Sequence, residues 1–183
     1  TLCLSLDKAL TKRVLSTYRI PTPRHRLFSP DLPVHTGGLR FPVIVKPNAE
    51  GSSKGIADVC IANDAKTLKE LVQKNFFLYG GDVLAEEFLS GREFTVGVIG
   101  NGDTLRVFPP MEIVYHHSPI AGYNVYNYTV KQEYEKYVSY HCPAEIPKEM
   151  EQDLIRLSKT IFLALGCRDF ARSRPTFISP CHQ

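Results

Sequence analysis

The chain has 183 residues, of which 43% are hydrophobic, so it can bury one substantial core or divide it between two small lobes. Its 22 basic and 19 acidic side chains are spread along the sequence and leave a net charge of +3, which gives no general attraction to nucleic acid. No apolar run approaches the roughly 20 residues that span a bilayer, and the first residues lack the pattern of a signal peptide. We therefore expect a globular, cytoplasmic protein with no nucleic-acid or membrane partner.

The cysteines predict neither a disulfide framework nor a zinc site. Their number is odd, and they lie far apart without a CxxC pair. Cys60 and Cys167 are instead expected to be small core residues. We predict no metal ligand among the cysteine and histidine side chains.

The first predicted element is a helix over residues 7–18. Leu10, Val14 and Leu15 recur in it at helical spacing, and the prolines that follow end it. Residues 24–40 are polar and contain proline, so we expect them to form a surface connection that leads into the first strand.

Residues 41–107 are predicted to form one compact unit, an antiparallel sheet with helices on one side. Its helix packs through Leu68, Leu71 and Val72, and an Asn-Gly pair at 101–102 marks a hairpin turn. The predicted elements are strands at 41–46, 56–61 and 83–88, a helix at 65–75, and hairpin strands at 94–99 and 104–108.

Residues 109–147 are rich in tyrosine and show little periodicity. We expect a strand at 111–115 followed by a long ordered loop. Pro147 then precedes a helix whose early acidic residues and apolar stripe suit the helix dipole and a buried face. This helix is predicted to end near Leu165, before Gly166.

An apolar strand at 41–45 ends on Lys46 and opens into a loop rich in glycine and serine. Two glycines allow close turns, and backbone amides together with the Ser52 and Ser53 hydroxyls can surround an anion. Because Lys46 precedes the glycines and no helix is signalled directly after them, this is not the GxxxxGK[ST] loop. The segment predicts a different way of holding nucleotide phosphates.

Residues 45–56 resemble the phosphate loop of the D-alanine–D-alanine ligase family, one of the families of ATP-grasp enzymes. Three further segments also agree with the family in order and spacing. Residues 5–23 resemble its entry helix, residues 85–96 its adenine hinge, and residues 166–172 the approach to its metal site. The resemblance implies an α+β, ATP-grasp fold of antiparallel sheets with packed helices. It ends at Arg172, so we expect a fold that is incomplete at the carboxyl end.

The resemblance also divides the chain into parts. Residues 1–40 hold the first helix and its connection, residues 41–107 the small lobe with phosphate loop and hinge, and residues 108–172 part of the large lobe. Residues 173–183 form a divergent tail. Because the family's usual first domain is absent, the chain is expected to be a fragment.

A set of ATP-binding residues follows from the resemblance. Lys8 and Lys46 would contact phosphates, the hinge would pair with the adenine edge, and Glu93 would contact ribose. Taken alone, the lysines would be ordinary solvated charges and the acidic hinge a solvated turn. The predicted cofactor-binding residues are Lys8, Lys46, Glu50, Ser52, Ser53, Glu86, Glu87, Phe88, Leu89 and Glu93.

Further residues are implied to act during phosphate transfer. Ser52 belongs to the loop that closes over the transferred phosphate, and Arg172 matches an arginine beside it. Tyr126 and Lys131 match a mobile loop that covers the site and keeps water from an acyl phosphate. The alternative for this last segment is a surface loop whose tyrosines are half-packed on the sheet.

After Arg172 the sequence departs from the family pattern. The family continues with an aspartate, then a glutamate and an asparagine, which together hold two magnesium ions. Here Arg174 replaces the aspartate, and the later pair is missing. ATP is therefore the expected cofactor, whereas the magnesium of the family has no anchored site in this chain.

The activity implied by the resemblance is ATP-dependent joining of two D-amino acids, with D-alanine as the first expectation, for a cell-wall precursor. Two alternatives stay open: a nucleotide-binding remnant without turnover, and a different ATP-grasp carboxylate–amine ligase. Loss of covering strands is expected to expose the apolar face of the helix that starts at Pro147. Such exposure favours aggregation or a homodimer.

Overall fold

The structure, a computed structural model, describes residues 1–50, 60–118, 120 and 122–177. Within these ranges, helices pack against two antiparallel sheets, and each sheet has an apolar core of its own. No helix in the same ranges is both long and apolar enough to cross a membrane. The arrangement agrees with the antiparallel α+β class predicted from the sequence.

Two helices open the chain, α1 (Leu2–Leu6) and α2 (Lys8–Thr17). The carboxylate of Asp7 caps α2, since its Oδ1 accepts a hydrogen bond of 2.8 Å from the Leu10 amide. Leu15 is buried, as the helical spacing requires. The helix predicted at 7–18 is therefore confirmed, with α1 as an addition in front of it.

The first sheet is covered on one face by helix α3 (Ala65–Tyr79). Its strands are β1 (His25–Phe28), β2 (Val43–Pro47), β3 (Ile61–Ala62) and β4 (Val83–Glu87), in the order β1-β4-β2-β3. Leu68, Leu71 and Val72 of α3 pack against Val43 and Val45 of β2. The apolar stripe predicted for this helix is confirmed.

Strand β1 lies within residues 24–40, which were expected to be a connection. It pairs with β4 at the edge of the sheet, in a register that places Arg26 opposite Ala85. The residues of β1 do not alternate between apolar and polar, so no sequence pattern predicts the strand. It is defined only by its pairing with β4. The prediction was wrong for this strand.

The second sheet is built around one long strand. Its strands are β5 (Arg92–Ile99), β6 (Arg106–Val107), β7 (Met111–Tyr115), β8 (Val138–His141), β9 (Phe170–Ser173) and β10 (Thr176–Phe177). The order is β10-β5-β7-β8, and β6 and β9 also pair with β5. The hairpin of β5 and β6 was predicted to lie in the same sheet as the strand at 41–46. This prediction was wrong, because β5 and β6 belong to the second sheet and β2 to the first.

The tyrosine-rich stretch after β7 contains helices α4 (Tyr128–Gln132) and α5 (Tyr134–Tyr137). The buried side chain of Asn127 caps α4, because its Oδ1 accepts a hydrogen bond of 2.9 Å from the Val130 amide. Val130 packs with Ile113 and Val138. The expected long loop was wrong here, because a cap and a buried valine stabilise these helices without any repeating pattern.

Helix α6 (Lys148–Ala164) packs against β5 and β9. Its Met150 and Leu154 form a core cluster with Phe94 and Val96 of β5. Met150, Leu154 and Phe162 on the face that was expected to lose its cover are therefore buried, because strands within the described chain already cover them.

Leu154→Ala should lower the free energy of unfolding by about 3 kcal/mol, since it removes a buried side chain and leaves a cavity against β5. Leu154 is 4% exposed, whereas Leu163 on the same helix is 59% exposed. Leu163→Ala is therefore the matched control, with an expected loss below about 0.5 kcal/mol. Urea unfolding followed by circular dichroism measures both, and equal losses would show that α6 is packed differently.

Candidate functional site

A cavity of about 590 Å³ is lined by residues of both sheets. Its volume falls in the range of small-molecule sites. Side chains from the connection after β4, from residues 122–126 and from the segment after β9 contribute to it. The predicted site residues that line it are Glu86, Glu87, Phe88, Leu89, Glu93 and Tyr126.

The alternation of β2 gives the cavity an apolar wall. Val43 and Val45 pack toward α3, so Ile44 lies on the opposite face of the sheet. There Ile44 packs against the same buried cluster as Phe88 and Tyr123, whose rings meet edge to face at 5.2 Å between centroids. Ile44 and Tyr123 were not predicted. Strand alternation could have pointed to Ile44, but nothing distinguishes Tyr123 among its neighbouring tyrosines.

The connection after β4 has a course fixed by hydrogen bonds. The Glu87 amide donates to the Arg24 carbonyl and the Phe88 amide to the Pro42 carbonyl, each at 2.9 Å. The side chain of Glu87 accepts a bond of 2.9 Å from the Arg40 amide. Two amides of the predicted hinge are therefore already used within the protein.

Glu86 joins three elements through one buried carboxylate. It forms ion pairs with Lys12 of α2, at 2.7 Å, and with Lys46 of β2. Burial raises the pKa of Glu86, but Lys46 and Lys12 outweigh burial and hold this pKa well below its usual value. Glu86, which lines the cavity, therefore stays charged and holds Lys46 beside it.

Lys8 contacts the backbone that leads into the predicted phosphate loop. Its ammonium group donates to the carbonyl oxygens of Pro47, Asn48 and Glu50, at 2.9, 3.0 and 2.7 Å. Burial and the nearby charge of Lys46 lower the pKa of Lys8 to about 8. Lys8 was predicted to contact phosphates, and in this structure it holds the first residues of the predicted loop.

The side chain of Asn48 fixes the same segment to α2. Its Oδ1 accepts a hydrogen bond from the Ala9 amide and its Nδ2 donates to Asp7, each at 2.9 Å. No motif in the sequence singled out Asn48. Ser52 and Ser53 follow outside the described residues, so their roles stay predictions.

Glu93 lines the cavity with both carboxylate oxygens hydrogen-bonded. The Tyr115 hydroxyl donates to Oε2 at 2.7 Å, and the Arg174 guanidinium donates to Oε1. Burial and the negative charge of Glu93 raise the pKa of Tyr115, so this tyrosine stays a neutral donor. The sequence predicted Glu93 as a site residue but neither of its partners.

Two cations lie against the ring of Tyr126. The guanidinium carbon of Arg174 is 4.5 Å from the ring centroid, and Nζ of Lys131 is 5.7 Å from it. Burial and the charges of Arg174 and Arg172 lower the pKa of Lys131. The predicted residues Tyr126, Lys131 and Arg172 therefore share one electrostatic environment, although only Tyr126 of these lines the cavity.

The described residues do not fit a magnesium site. Within them, no group of three or more histidine, cysteine, aspartate or glutamate side chains is placed to hold a metal ion. Arg174 stands where the family resemblance implies an aspartate, and it is paired with Glu93. A guanidinium offers hydrogen-bond donors only, so it cannot ligate a cation.

Solved structures define the class of fold. The D-Ala:D-Ser ligase VanG from Enterococcus faecalis matches with a TM-score of 0.76 at 25% identity, over 97% of this chain and 50% of that one. The D-alanine–D-alanine ligase of Bacillus anthracis gives a TM-score of 0.74 at 22% identity, over 96% and 54%. The chain has the ATP-grasp fold, which confirms the predicted fold class.

Sequence comparisons define the family. The family described as D-ala D-ala ligase C-terminus matches residues 33–174. The D-alanine–D-alanine ligase of Bordetella pertussis is 36% identical over 92% of this chain and 51% of its own length, and that of Methylibium petroleiphilum is 35% identical over 93% and 52%. The chain belongs to the D-alanine–D-alanine ligase family, as the resemblance predicted. It spans about half the length of these curated relatives.

Lys8 should make the free energy of unfolding depend on pH. Its pKa is about 8 in the folded chain against 10.5 for an ordinary lysine, so the unfolded chain binds more protons between these values. The contribution of Lys8 to stability therefore rises as the pH rises from 8 to 10.5. Chemical denaturation at a series of pH values should show the wild type gaining stability relative to Lys8→Met across this window.

The control for this experiment is Lys69→Met, which removes an exposed lysine from α3. The gain of the wild type over Lys8→Met should exceed its gain over Lys69→Met. If the two differences follow the same pH profile, Lys8 does not occupy the buried position described above.

Proposed function

We propose that the chain binds ATP in the cavity between its two sheets. The observation that carries this proposal is that one cavity gathers the hinge, Glu93 and Tyr126, which come from separate parts of the sequence. A ligand with a flat apolar end and a charged end suits an apolar wall with charged groups beside it. A similar structure, the D-alanine–D-alanine ligase of Bacillus anthracis, was solved in complex with ATP, with a TM-score of 0.72 and 21% identity.

In the proposed pose, adenine lies against the wall formed by Ile44 and Phe88, and the ribose hydroxyls face Glu93. The phosphates carry several negative charges, so they need cations at the other end of the ligand. We propose that Arg174, which lines the cavity and is held by Glu93, and Lys46, which is held by the lining residue Glu86, supply this charge.

We infer that the parent activity joins two D-amino acids, D-alanine first among them, for a cell-wall precursor. The carboxylate of one substrate attacks the terminal phosphorus of ATP, which releases ADP and forms an acyl phosphate. The amine of the second substrate attacks the acyl carbon, loses a proton, and inorganic phosphate leaves as the amide bond forms. Tyr126 and Lys131 are proposed to keep water from the acyl phosphate, because hydrolysis competes with the second step.

The identity of the second amino acid is a separate question. VanG, which shares the fold, is named as a D-Ala:D-Ser ligase, so this fold serves acceptors other than D-alanine. A panel of D-amino acids offered together with D-alanine to a version of the chain with a restored, family-like carboxyl end, with ADP release as the signal, would identify the acceptor.

A second candidate function is nucleotide binding without turnover. Arg174 favours it, since an arginine paired with Glu93 stands where the family resemblance implies a metal-binding aspartate. We expect the 183-residue chain to bind ATP without releasing ADP when D-alanine is supplied. ADP release that requires D-alanine and is lost in Lys46→Ala would overturn this candidate and support the ligase reaction.

Phe88→Ala should weaken ATP binding about tenfold, because it removes the aromatic part of the wall proposed to hold adenine. Isothermal titration calorimetry measures the dissociation constants of the wild type and the variant. Phe77→Ala is the matched control, since Phe77 is 90% exposed on α3. This variant should bind ATP as the wild type does.

Phe88 also packs on Tyr123, so a thermal unfolding curve must show that Phe88→Ala is folded at the temperature of the titration. Equal dissociation constants for the Phe88 and Phe77 variants would show that adenine does not lie against this wall.

A further inference from the structure

Positive charge gathers around Tyr126, at the edge of the proposed ATP site. Arg174 and Lys131 both lie against the Tyr126 ring, at 4.5 and 5.7 Å from its centroid. Arg172 of β9 is near enough for its charge, with that of Arg174, to act on Lys131. Three cations therefore repel one another in this region.

Glu93 is the carboxylate that opposes this charge. It binds Arg174 through Oε1, while its Oε2 already accepts a hydrogen bond from Tyr115. Arg174 is therefore held by a carboxylate that it shares with Tyr115, and it lies beside the further positive charge of Arg172 and Lys131. An anionic group that enters the cavity would relieve the repulsion between the cations without displacing Glu93.

Arg174 is the member of this group that lines the cavity. Its side chain is 31% exposed, so part of the guanidinium faces open space. The bond to Glu93 uses Nη2, and a guanidinium has five N–H donors, so Arg174 can donate to a second anion at the same time. Its planar donors suit phosphate oxygens, which they can bind in pairs.

We propose that Arg174 binds the phosphates of the nucleotide directly, so that this chain holds a nucleotide without a divalent cation. The proposal rests on the proposed function, because it takes ATP as the ligand of the cavity. It follows from a departure from the family pattern. Where the resemblance implies an aspartate that would bind a metal cation, this chain has Arg174, whose N–H donors suit an anion. Arg174 is a binding residue in this account, and no step of phosphate transfer is assigned to it.

A purely structural pair of Arg174 and Glu93 would act differently. It would act on a ligand only through Glu93 and the ribose, so the loss of Arg174 would change the affinities for adenosine and for ATP by the same factor. The position of Arg174 favours phosphate binding over this role, because a pair that served only to neutralise Glu93 would not need to turn part of the guanidinium toward the cavity.

Calorimetric titration of the 183-residue chain with ATP in EDTA, and in parallel with magnesium, tests the proposal. We expect ATP to bind in EDTA, with an affinity that magnesium does not raise. Arg174→Gln should weaken this binding roughly tenfold, the value of a charged hydrogen bond, and Arg174→Lys should fall between the two. Arg156→Gln is the matched control, since it removes an exposed arginine paired with Asp153 on α6 and should bind as the wild type does.

Adenosine, which has no phosphate, separates this proposal from the proposed function. Because the loss of Arg174 frees Glu93 for both ligands, the test compares them: Arg174→Gln should weaken the binding of ATP about tenfold relative to the binding of adenosine. If neither adenosine nor ATP binds the wild type, the proposed function is wrong and the role of Arg174 is wrong with it.

Three other results would overturn the role of Arg174 and leave the cavity as a nucleotide site. They are ATP binding that requires magnesium, equal ATP affinity of Arg174→Gln and the wild type, and a change of the same factor in the ATP and adenosine affinities of Arg174→Gln. Circular dichroism checks that each variant is folded, and Arg174→Lys, which keeps the charge, carries the comparison if Arg174→Gln does not fold.

Discussion

The buried carboxylate of Glu86 holds this site together, because lysines from two other elements share it. Lys12 reaches it from α2 and Lys46 from β2, while Glu86 itself stands at the end of β4. Removing one partner of a buried ion pair costs about 3 to 5 kcal/mol, since a charge is left without compensation. The predicted hinge and the strand that leads to the predicted phosphate loop are thereby fixed side by side.

Glu93 plays the matching part in the second sheet. It stands on β5, takes a hydrogen bond from Tyr115 on the neighbouring strand β7, and pairs with Arg174 just after β9. Each of the two carboxylates therefore lines the cavity and holds a cation next to it. This preorganisation matters for a polyanionic ligand, because cations that are already in place need no reorganisation when the ligand binds.

The features that the sequence predicted well depend on local patterns. Helices α3 and α6 follow from apolar stripes. The family resemblance pointed to the hinge segment and Glu93, which line the cavity, while their roles in binding stay predictions. The features that it missed depend on contacts between distant segments: β1 is defined by its pairing with β4, and Arg174 meets a partner 81 residues away. The sequence marked Arg174 as a departure from the family, but only the pairing of β9 and β10 with β5 brings its guanidinium to Glu93.

Hydrogen–deuterium exchange of the chain, with and without ATP, tests most directly whether the cavity between the sheets is the nucleotide site. The account predicts slower exchange at residues 84–91 and 122–126 when ATP is present, because the ligand would contact both segments, and no change at the carboxyl end of α3. Unchanged exchange in both cavity segments at saturating ATP, or protection confined to α3, would contradict it.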